Sequence, residues 1–161
     1  MKKVILFRHA MAAYSALNES DHGRALTPKG IVDAQNMGIY LKNKKEFPEL
    51  VISSSAIRAK NTAKHAIKSG QWKCEFLIEN KIYGGNPNYL IDLLNRQPDK
   101  VNIVCLVGHE PHFSKFVLLT TGKLKKLPTA SMAILSFDCN SWSQLYFNSG
   151  KLNSILEPDF L

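Results

Sequence analysis

Four short apolar runs, each about the length of a β-strand, are separated along this chain by segments with helical spacing. The runs cover residues 4–7, 50–52, 76–78 and 102–107. Between the first two runs, Ile31, Ala34, Gly38 and Leu41 recur three or four positions apart, which is typical of one buried face of a helix. Strands that alternate with helices predict a mostly parallel sheet with helices on both faces. We therefore expect an α/β fold of three layers.

The remaining pattern completes this prediction. Helices are expected over about residues 28–44, 56–70, 86–96 and 112–121, with Thr27-Pro28 and Asn86-Pro87 as starting signals and Gly70 as the end of the second helix. Two further strands are expected near residues 131–138 and 142–148, joined at residues 139–141. We interpret these two strands as an antiparallel edge at the C-terminal side of the sheet.

Length and composition favour one cytoplasmic domain, 1–161. The chain has 161 residues, no stretch rich in Pro, Gly or Ser divides it, and no run approaches the ~20 apolar residues that span a membrane. The first apolar run resembles the start of a signal peptide, but Arg8 and His9 interrupt it after four residues. Three widely spaced cysteines, Cys74, Cys105 and Cys139, favour reduced thiols over a disulfide framework or a metal site.

The net charge of +8 comes mostly from lysine. Only four of the 21 basic residues are arginines, namely Arg8, Arg24, Arg58 and Arg96. The lysine clusters are interpreted as solvated surface or as a field that steers an acidic partner. They lack interleaved aromatic residues, and no recognised binding motif is present, so nucleic acid is not an expected partner.

Two histidines and two arginines follow predicted strands. Arg8 and His9 come directly after the first apolar run, Arg58 follows the second, and His109 follows the fourth. The carboxyl ends of parallel strands share one edge of a sheet, where ligands bind in open α/β folds. We therefore expect these four side chains to converge on one anionic ligand. A structural role is expected for His22, His65 and His112.

The same residues carry a resemblance to a known family. The motifs are Arg8-His9 after the first strand, residues 26–30 (Leu-Thr-Pro-Lys-Gly), residues 54–62 (Ser-Ser-Ala-Ile-Arg-Ala-Lys-Asn-Thr) and Gly108-His109. In this order they resemble the histidine phosphatase superfamily, the phosphoglycerate mutase-like proteins. The short length, Arg24 before residues 25–27 and residues 108–111 (Gly-His-Glu-Pro) most resemble the small bacterial phosphohistidine phosphatases.

The resemblance implies a role for each residue. His9 is the expected nucleophile, which becomes transiently phosphorylated, while Arg8, Arg58 and His109 bind the phosphoryl oxygens. No metal ion and no other cofactor is expected. Arg24 either contacts phosphate or orders its loop. The turn at Ser54-Ser55 is a further candidate, because backbone N–H groups that lead into a helix bind anions.

Two features depart from the wider family. Many phosphomonoesterases of this fold have an acidic residue after the third strand that protonates an alkoxide leaving group, but residues 80–86 contain no carboxylate and Glu79 lies at the strand end. Imidazole, whose protonated form has a pKa of about 6.5, leaves with far less help than an alkoxide, whose conjugate acid is a much weaker acid. Ala10 also replaces a usual glycine, which either crowds the phosphate or alters the loop, and Ser55 replaces a usual proline.

The sequence therefore predicts a metal-independent phosphatase that removes phosphate from a phosphohistidine protein, for example a histidine-containing phosphotransfer domain. Two alternatives stay open. One is a small-molecule phosphomonoesterase with Glu79 or Glu110 as the proton donor. The other is a phosphate-binding module without turnover.

Overall fold

A mixed six-stranded sheet forms the centre of the protein in the computed structural model, which describes residues 1–15 and 17–161. The strands are β1 (Lys2–Arg8), β2 (Leu50–Ser53), β3 (Glu75–Ile78), β4 (Ile103–Gly108), β5 (Met132–Phe137) and β6 (Gly150–Leu156). Their spatial order is β3-β2-β4-β1-β5-β6, in which β1 to β4 are parallel, β5 is antiparallel to β1, and β6 is antiparallel to β5. The predicted single α/β domain with an antiparallel edge is confirmed.

Helices cover both faces of this sheet. They are α1 (Pro28–Asn43), α2 (Ile57–Gly70), α3 (Pro87–Asn95) and α4 (His112–Thr121). Thr27 begins α1 because its hydroxyl accepts a hydrogen bond from the Gly30 N–H at 3.0 Å, and the Asn86 side chain begins α3 in the same way through Tyr89 N–H.

Two apolar cores lie on opposite faces of the sheet. Side chains of α1 and α2 pack in one core, and those of α3 and α4 pack in the other. Alternate strand residues divide between the two: Ile5 and Phe7 belong to the α1/α2 side, whereas Val4 and Leu6 belong to the α3/α4 side. All four are fully or almost fully buried, as expected for a parallel strand covered on both faces.

Close packing determines how α2 ends. Gly70 is the last residue of the helix, but the left-handed residue that terminates it is Gln71, with φ of +52°. A Cβ atom on Gly70 would lie 2.4 Å from the Gly38 carbonyl oxygen and 2.3 Å from the Trp72 indole nitrogen. Glycine is therefore needed here for the close approach of α1 and α2 rather than for a left-handed turn.

The predicted final strand at residues 142–148 is wrong. Residues Trp142–Gln144 form a 3-10 turn with a reciprocal capping box between Ser141 and Gln144, and β6 begins only at Gly150. Trp142 is fully buried, and its indole N–H donates to the Val101 carbonyl at 2.8 Å. Trp142 thus anchors the connection against the body, and the C-terminal segment supplies the edge strand.

All three cysteines are free: Cys105 is buried, and Cys74 and Cys139 are partly buried. Within residues 1–15 and 17–161, no helix combines the length and apolar character that a membrane span requires.

Candidate active site

The loops at the carboxyl edge of the parallel strands bring His9, Arg58 and His109 together. His9 directly follows β1, Arg58 lies in the first turn of α2, and His109 directly follows β4. The Arg58 Nε atom is 3.2 Å from His9 Nε2, and the ring centres of His9 and His109 are 5.2 Å apart with 53° between their planes. Residues separated by up to a hundred positions in sequence therefore share one site.

Hydrogen bonds fix the tautomer of His9. Its Nδ1 atom lies 2.8 Å from the Ala10 carbonyl oxygen, which can only accept, so Nδ1 carries the proton. Arg58 Nε can only donate, so His9 Nε2 is the acceptor and carries a lone pair. The ring is consequently oriented with an unprotonated nitrogen toward the guanidinium, the state that a nucleophilic imidazole needs.

Burial keeps both rings neutral. Desolvation lowers the pKa of His9 to about 4, and the positive charges of Arg58, Arg8 and Arg24 contribute in the same direction. Desolvation also lowers the pKa of His109 to about 3, with smaller effects from His9 and Arg58. Both imidazoles are therefore unprotonated at neutral pH.

Two buried nitrogens at this edge have no hydrogen-bond partner among the described residues. They are Nε of Arg8 and Nδ1 of His109. The residues flank His9, because Arg8 precedes it in the chain and β1 pairs with β4 through Arg8 and Gly108. An unpaired buried polar group costs about 1–3 kcal/mol, so such groups in a folded protein call for an explanation. An oxyanion accepting from both sites would supply it.

Each of these two side chains is also held by the fold through another nitrogen. The other ring nitrogen of His109, Nε2, lies 2.8 Å from the Ser54 hydroxyl oxygen. The Arg8 Nη1 atom donates to the Leu127 carbonyl at 2.7 Å. Burial lowers the pKa of the Arg8 guanidinium, and the Glu110 carboxylate opposes this effect.

Asp21 is a site residue that sequence reasoning missed. Its backbone carbonyl accepts from Arg58 Nη1 at 2.6 Å, and its Oδ2 atom accepts from Arg58 Nη2 at 3.0 Å. Tyr83, in the loop after β3, donates its hydroxyl to the same Oδ2 atom at 2.7 Å. The carboxylate thus links the loop after β1 to the loop after β3. A weak signal was present: an acidic residue three positions before Arg24 in a polar loop.

Arg24 orders its own loop. Its Nε atom donates to the Ala13 carbonyl at 2.8 Å, and its Nη1 atom pairs with Asp21 Oδ1 at 3.1 Å. His22 lies in the same loop, 2.9 Å from the Ser55 hydroxyl, with its ring edge-on to Tyr83. Of the two predicted roles for Arg24, these contacts correspond to loop ordering, and its charge still acts on His9.

The structure corrects the expectation that the Ser54 backbone presents a free N–H to an anion. That N–H donates to the Val107 carbonyl at 2.9 Å, as an extension of the β2–β4 pairing. The Ser54 hydroxyl is the atom that faces the site, through His109. Ala10 is fully buried in the α1/α2 core, and its N–H donates to the Thr62 hydroxyl, so the methyl group packs within that core.

Neither glutamate considered as a proton donor is free. Glu79 accepts from the Lys81 N–H at 3.0 Å. Glu110 accepts from the N–H and hydroxyl of Ser114 and from the Leu127 N–H, which ties the start of α4 to the loop over Arg8. Asp21 is the carboxylate that does reach the site. The hydrogen bond from Tyr83 is the largest of the effects that lower its pKa to about 2. Asp21 is therefore ionised at neutral pH and cannot act as a general acid.

Sequence comparison finds relatives of unassigned function. No protein-family model matches the chain. The uncharacterized protein Rv1276c of Mycobacterium tuberculosis is 30% identical over 139 residues, which cover 80% of this chain and 85% of the relative. An uncharacterized chloroplast protein of Arabidopsis thaliana is 27% identical over 176 aligned positions, covering 98% of this chain and 78% of the relative.

Solved structures with a similar fold include several phosphatases. A protein of Agrobacterium tumefaciens, provisionally named phosphohistidine phosphatase SixA, superposes with a TM-score of 0.84 at 24% identity, over 98% of both chains. The protein histidine phosphatase SixA complexed with tungstate gives a TM-score of 0.82 at 24% identity, also over 98% of both chains. A mycobacterial glucosyl-3-phosphoglycerate phosphatase gives 0.70 at 13% identity, over 94% of this chain and 97% of that one. The phosphoglycerate mutase-like fold predicted from the motifs is thereby confirmed.

Proposed function

The chain belongs to the same family as its Mycobacterium tuberculosis relative and has the phosphoglycerate mutase-like fold of the histidine phosphatases, and on this premise we propose that it is a phosphohistidine phosphatase acting on a phosphorylated protein. The observation that carries the proposal is the unprotonated Nε2 of His9, held 3.2 Å from Arg58 Nε, together with the neighbouring side chains of Arg8 and His109. Each of these two has a buried nitrogen without a hydrogen-bond partner in the described part of the chain. A nucleophile and three oxyanion donors are the parts that phosphoryl transfer requires.

The reaction follows from these positions. The His9 Nε2 lone pair attacks phosphorus, and the bond from phosphorus to the substrate imidazole nitrogen breaks. Its electron pair stays on that nitrogen, and because the other nitrogen of the substrate ring is protonated, the group leaves as neutral imidazole. Arg8, Arg58 and His109 bind the three nonbridging oxygens while the bond to the imidazole breaks. Water then attacks phosphorus, the bond to His9 Nε2 breaks, and inorganic phosphate leaves with His9 neutral again.

The protonation states favour phosphorus bonded to nitrogen. An alkoxide leaving group needs a proton donor, but Asp21 is ionised and Glu79 and Glu110 are engaged elsewhere. Imidazole leaves without one. A fold neighbour named protein histidine phosphatase SixA has been solved with tungstate, a tetrahedral oxyanion, which supports an oxyanion as the ligand of this chain.

The proposed partner is a histidine-containing phosphotransfer domain or a similar phosphoprotein, and the proposed compartment is the cytoplasm. A phosphoprotein substrate agrees with the net charge of +8, because a basic surface steers an acidic partner. The free cysteines agree with a reducing compartment.

The test compares a phosphohistidine-bearing protein with a phosphoserine peptide at equal concentration. We expect phosphate release from phosphohistidine to exceed release from the alkyl ester by at least about a hundredfold, and preference for the alkyl ester would overturn the proposal. An alkaline quench followed by mass spectrometry should find the phosphoryl group on the peptide that contains His9. His9→Ala should abolish turnover, whereas His65→Ala, a histidine on α2, should leave it unchanged.

A further inference from the structure

All three nitrogens of the Arg58 guanidinium contact protein groups. Its Nε atom contacts His9 Nε2, and its two terminal nitrogens contact the carbonyl and the carboxylate of Asp21. An arginine holds a phosphoryl group most strongly through two parallel N–H groups on one edge of the fork. Each such edge of Arg58 carries a contact to Asp21, so a bidentate grip on phosphate requires at least one of these contacts to break.

The Asp21 carboxylate is an anion that is already bound to Arg58. Its Oδ2 atom receives the Tyr83 hydroxyl at 2.7 Å as well as Arg58 Nη2 at 3.0 Å, and its Oδ1 atom pairs with Arg24. The negative charge also acts on His109, where it opposes the lowering of the pKa. The carboxylate therefore lies within the electrostatic reach of the groups that the proposed phosphoryl site uses.

The two partners differ sharply in burial. The Arg58 side chain is 7% exposed, whereas the Asp21 side chain is 54% exposed. A buried guanidinium needs an anionic or hydrogen-bonding partner, but a half-exposed carboxylate can leave to water at little cost. Another anion can consequently replace the Asp21 carboxylate on Arg58.

We infer that Asp21 is a specificity-determining residue whose carboxylate competes with the phosphoryl group for Arg58. The inference rests on the proposed function, since it assigns a resident competitor to that same oxyanion site. Substrate phosphoryl displaces the carboxylate from Arg58, and the carboxylate returns when inorganic phosphate leaves. The competition weakens the binding of free phosphate. A phosphoprotein makes further contacts outside the site, and these contacts let it bind although Asp21 competes for Arg58.

The experiment is an equilibrium titration of the intact protein with tungstate and, separately, with inorganic phosphate, for wild type and Asp21→Asn. Asparagine keeps the shape and can still accept from Arg58 and Tyr83, but it carries no charge. We expect both anions to bind the variant about threefold to tenfold more tightly. Equal or weaker binding would overturn the inference, because a purely structural role of Asp21 predicts a damaged site.

Two controls separate competition from other effects. Asp138→Asn removes the same charge just beyond β5, at the end of the sheet opposite the site, and should not change either affinity; an equal gain there would overturn the inference. Tyr83→Phe keeps the ring against His109 but removes a donor that anchors Asp21, so its affinity should also rise, and a loss would count against competition. Anion binding needs no turnover, so this result is independent of whether phosphohistidine is the substrate.

Discussion

Arg58 donates its Nε–H to Nε2 of His9 at 3.2 Å, so the cation of the site is hydrogen-bonded to the lone pair of the proposed nucleophile. The contact keeps His9 in the tautomer with an unprotonated Nε2, and the positive charge adds to the desolvation that lowers the pKa of the ring. In the proposed reaction, the lone pair becomes free when Arg58 shifts toward the incoming oxyanion. Binding of the phosphoryl group and release of the His9 lone pair are then coupled.

Replacing Arg58 by lysine tests this double role. Arg58→Lys keeps the charge but has no planar fork, so it cannot contact His9 and Asp21 together. We expect kcat/KM for the phosphohistidine protein to fall about a hundredfold, as for loss of an oxyanion donor. Steady-state kinetics measure this, and Arg96→Lys, at the end of α3, serves as the matched control. An Arg58→Lys enzyme with wild-type kcat/KM would show that charge alone suffices.

The low pKa values of the two rings give a pH prediction. Titration of labelled histidines by NMR should place the protonation of His9 near pH 4 and that of His109 near pH 3, assigned with His9→Gln and His109→Gln. The neutral nucleophile should therefore persist well below pH 6.5, the usual value for histidine. Midpoints near 6.5 for both rings would contradict the burial that the structure assigns to them.

The same pKa values predict how stability changes with pH. Both histidines have folded-state values below the unfolded value of about 6.5, so between about pH 6.5 and pH 4 the unfolded chain binds more protons. Their contribution to the free energy of unfolding should be complete above about pH 6.5 and should decrease as the pH falls through this window. Urea unfolding at several pH values measures the slope, and the His9→Gln/His109→Gln double variant should show a shallower one.

Ser54 is expected to act through His109. Ser54→Ala leaves Nε2 of the buried ring without its hydroxyl partner, so the ring loses its fixed orientation. We expect kcat/KM to fall about tenfold to a hundredfold and the free energy of unfolding to fall by about 1 kcal/mol. Ser55→Ala, whose hydroxyl contacts His22 instead, should have little effect on turnover. Unchanged kinetics for Ser54→Ala would show that the serine has no role in the site.

Much of this arrangement was predictable because apolar runs locate strand ends. Once residues 4–7 and 102–107 are taken as parallel strands, His9 and His109 must lie at one edge of the sheet, and the structure places them there. The position of Arg58 follows in the same way, from a helix that begins directly after β2. These contacts depend on local pattern and on the geometry of parallel pairing.

Asp21 and β6 were not predictable for the opposite reason. The Asp21 contacts join residues 37 and 62 positions apart through irregular loops, and no periodicity describes where such a loop folds. For β6, a strand was expected over residues 142–148, whereas the burial of Trp142 and its hydrogen bond to Val101 decided the local structure. Tertiary packing overrode local propensity there.

Gly38 offers a test of the packing between α1 and α2. In an isolated helix, Gly→Ala stabilises by about 0.5–1 kcal/mol. Here a Cβ atom on Gly38 would lie 2.2 Å from the Ala66 carbonyl oxygen, so backbone of one helix would have to move away from the other. Such overpacking typically costs 1–3 kcal/mol or more, and we expect Gly38→Ala to lower the free energy of unfolding by at least about 2 kcal/mol.

Gly23→Ala, where the nearest atom is 3.4 Å from the added carbon, is the matched control and should change little. Chemical denaturation of both variants decides the sign: a stabilised Gly38→Ala would mean that helix propensity outweighs the close contact on which this face of the protein is built.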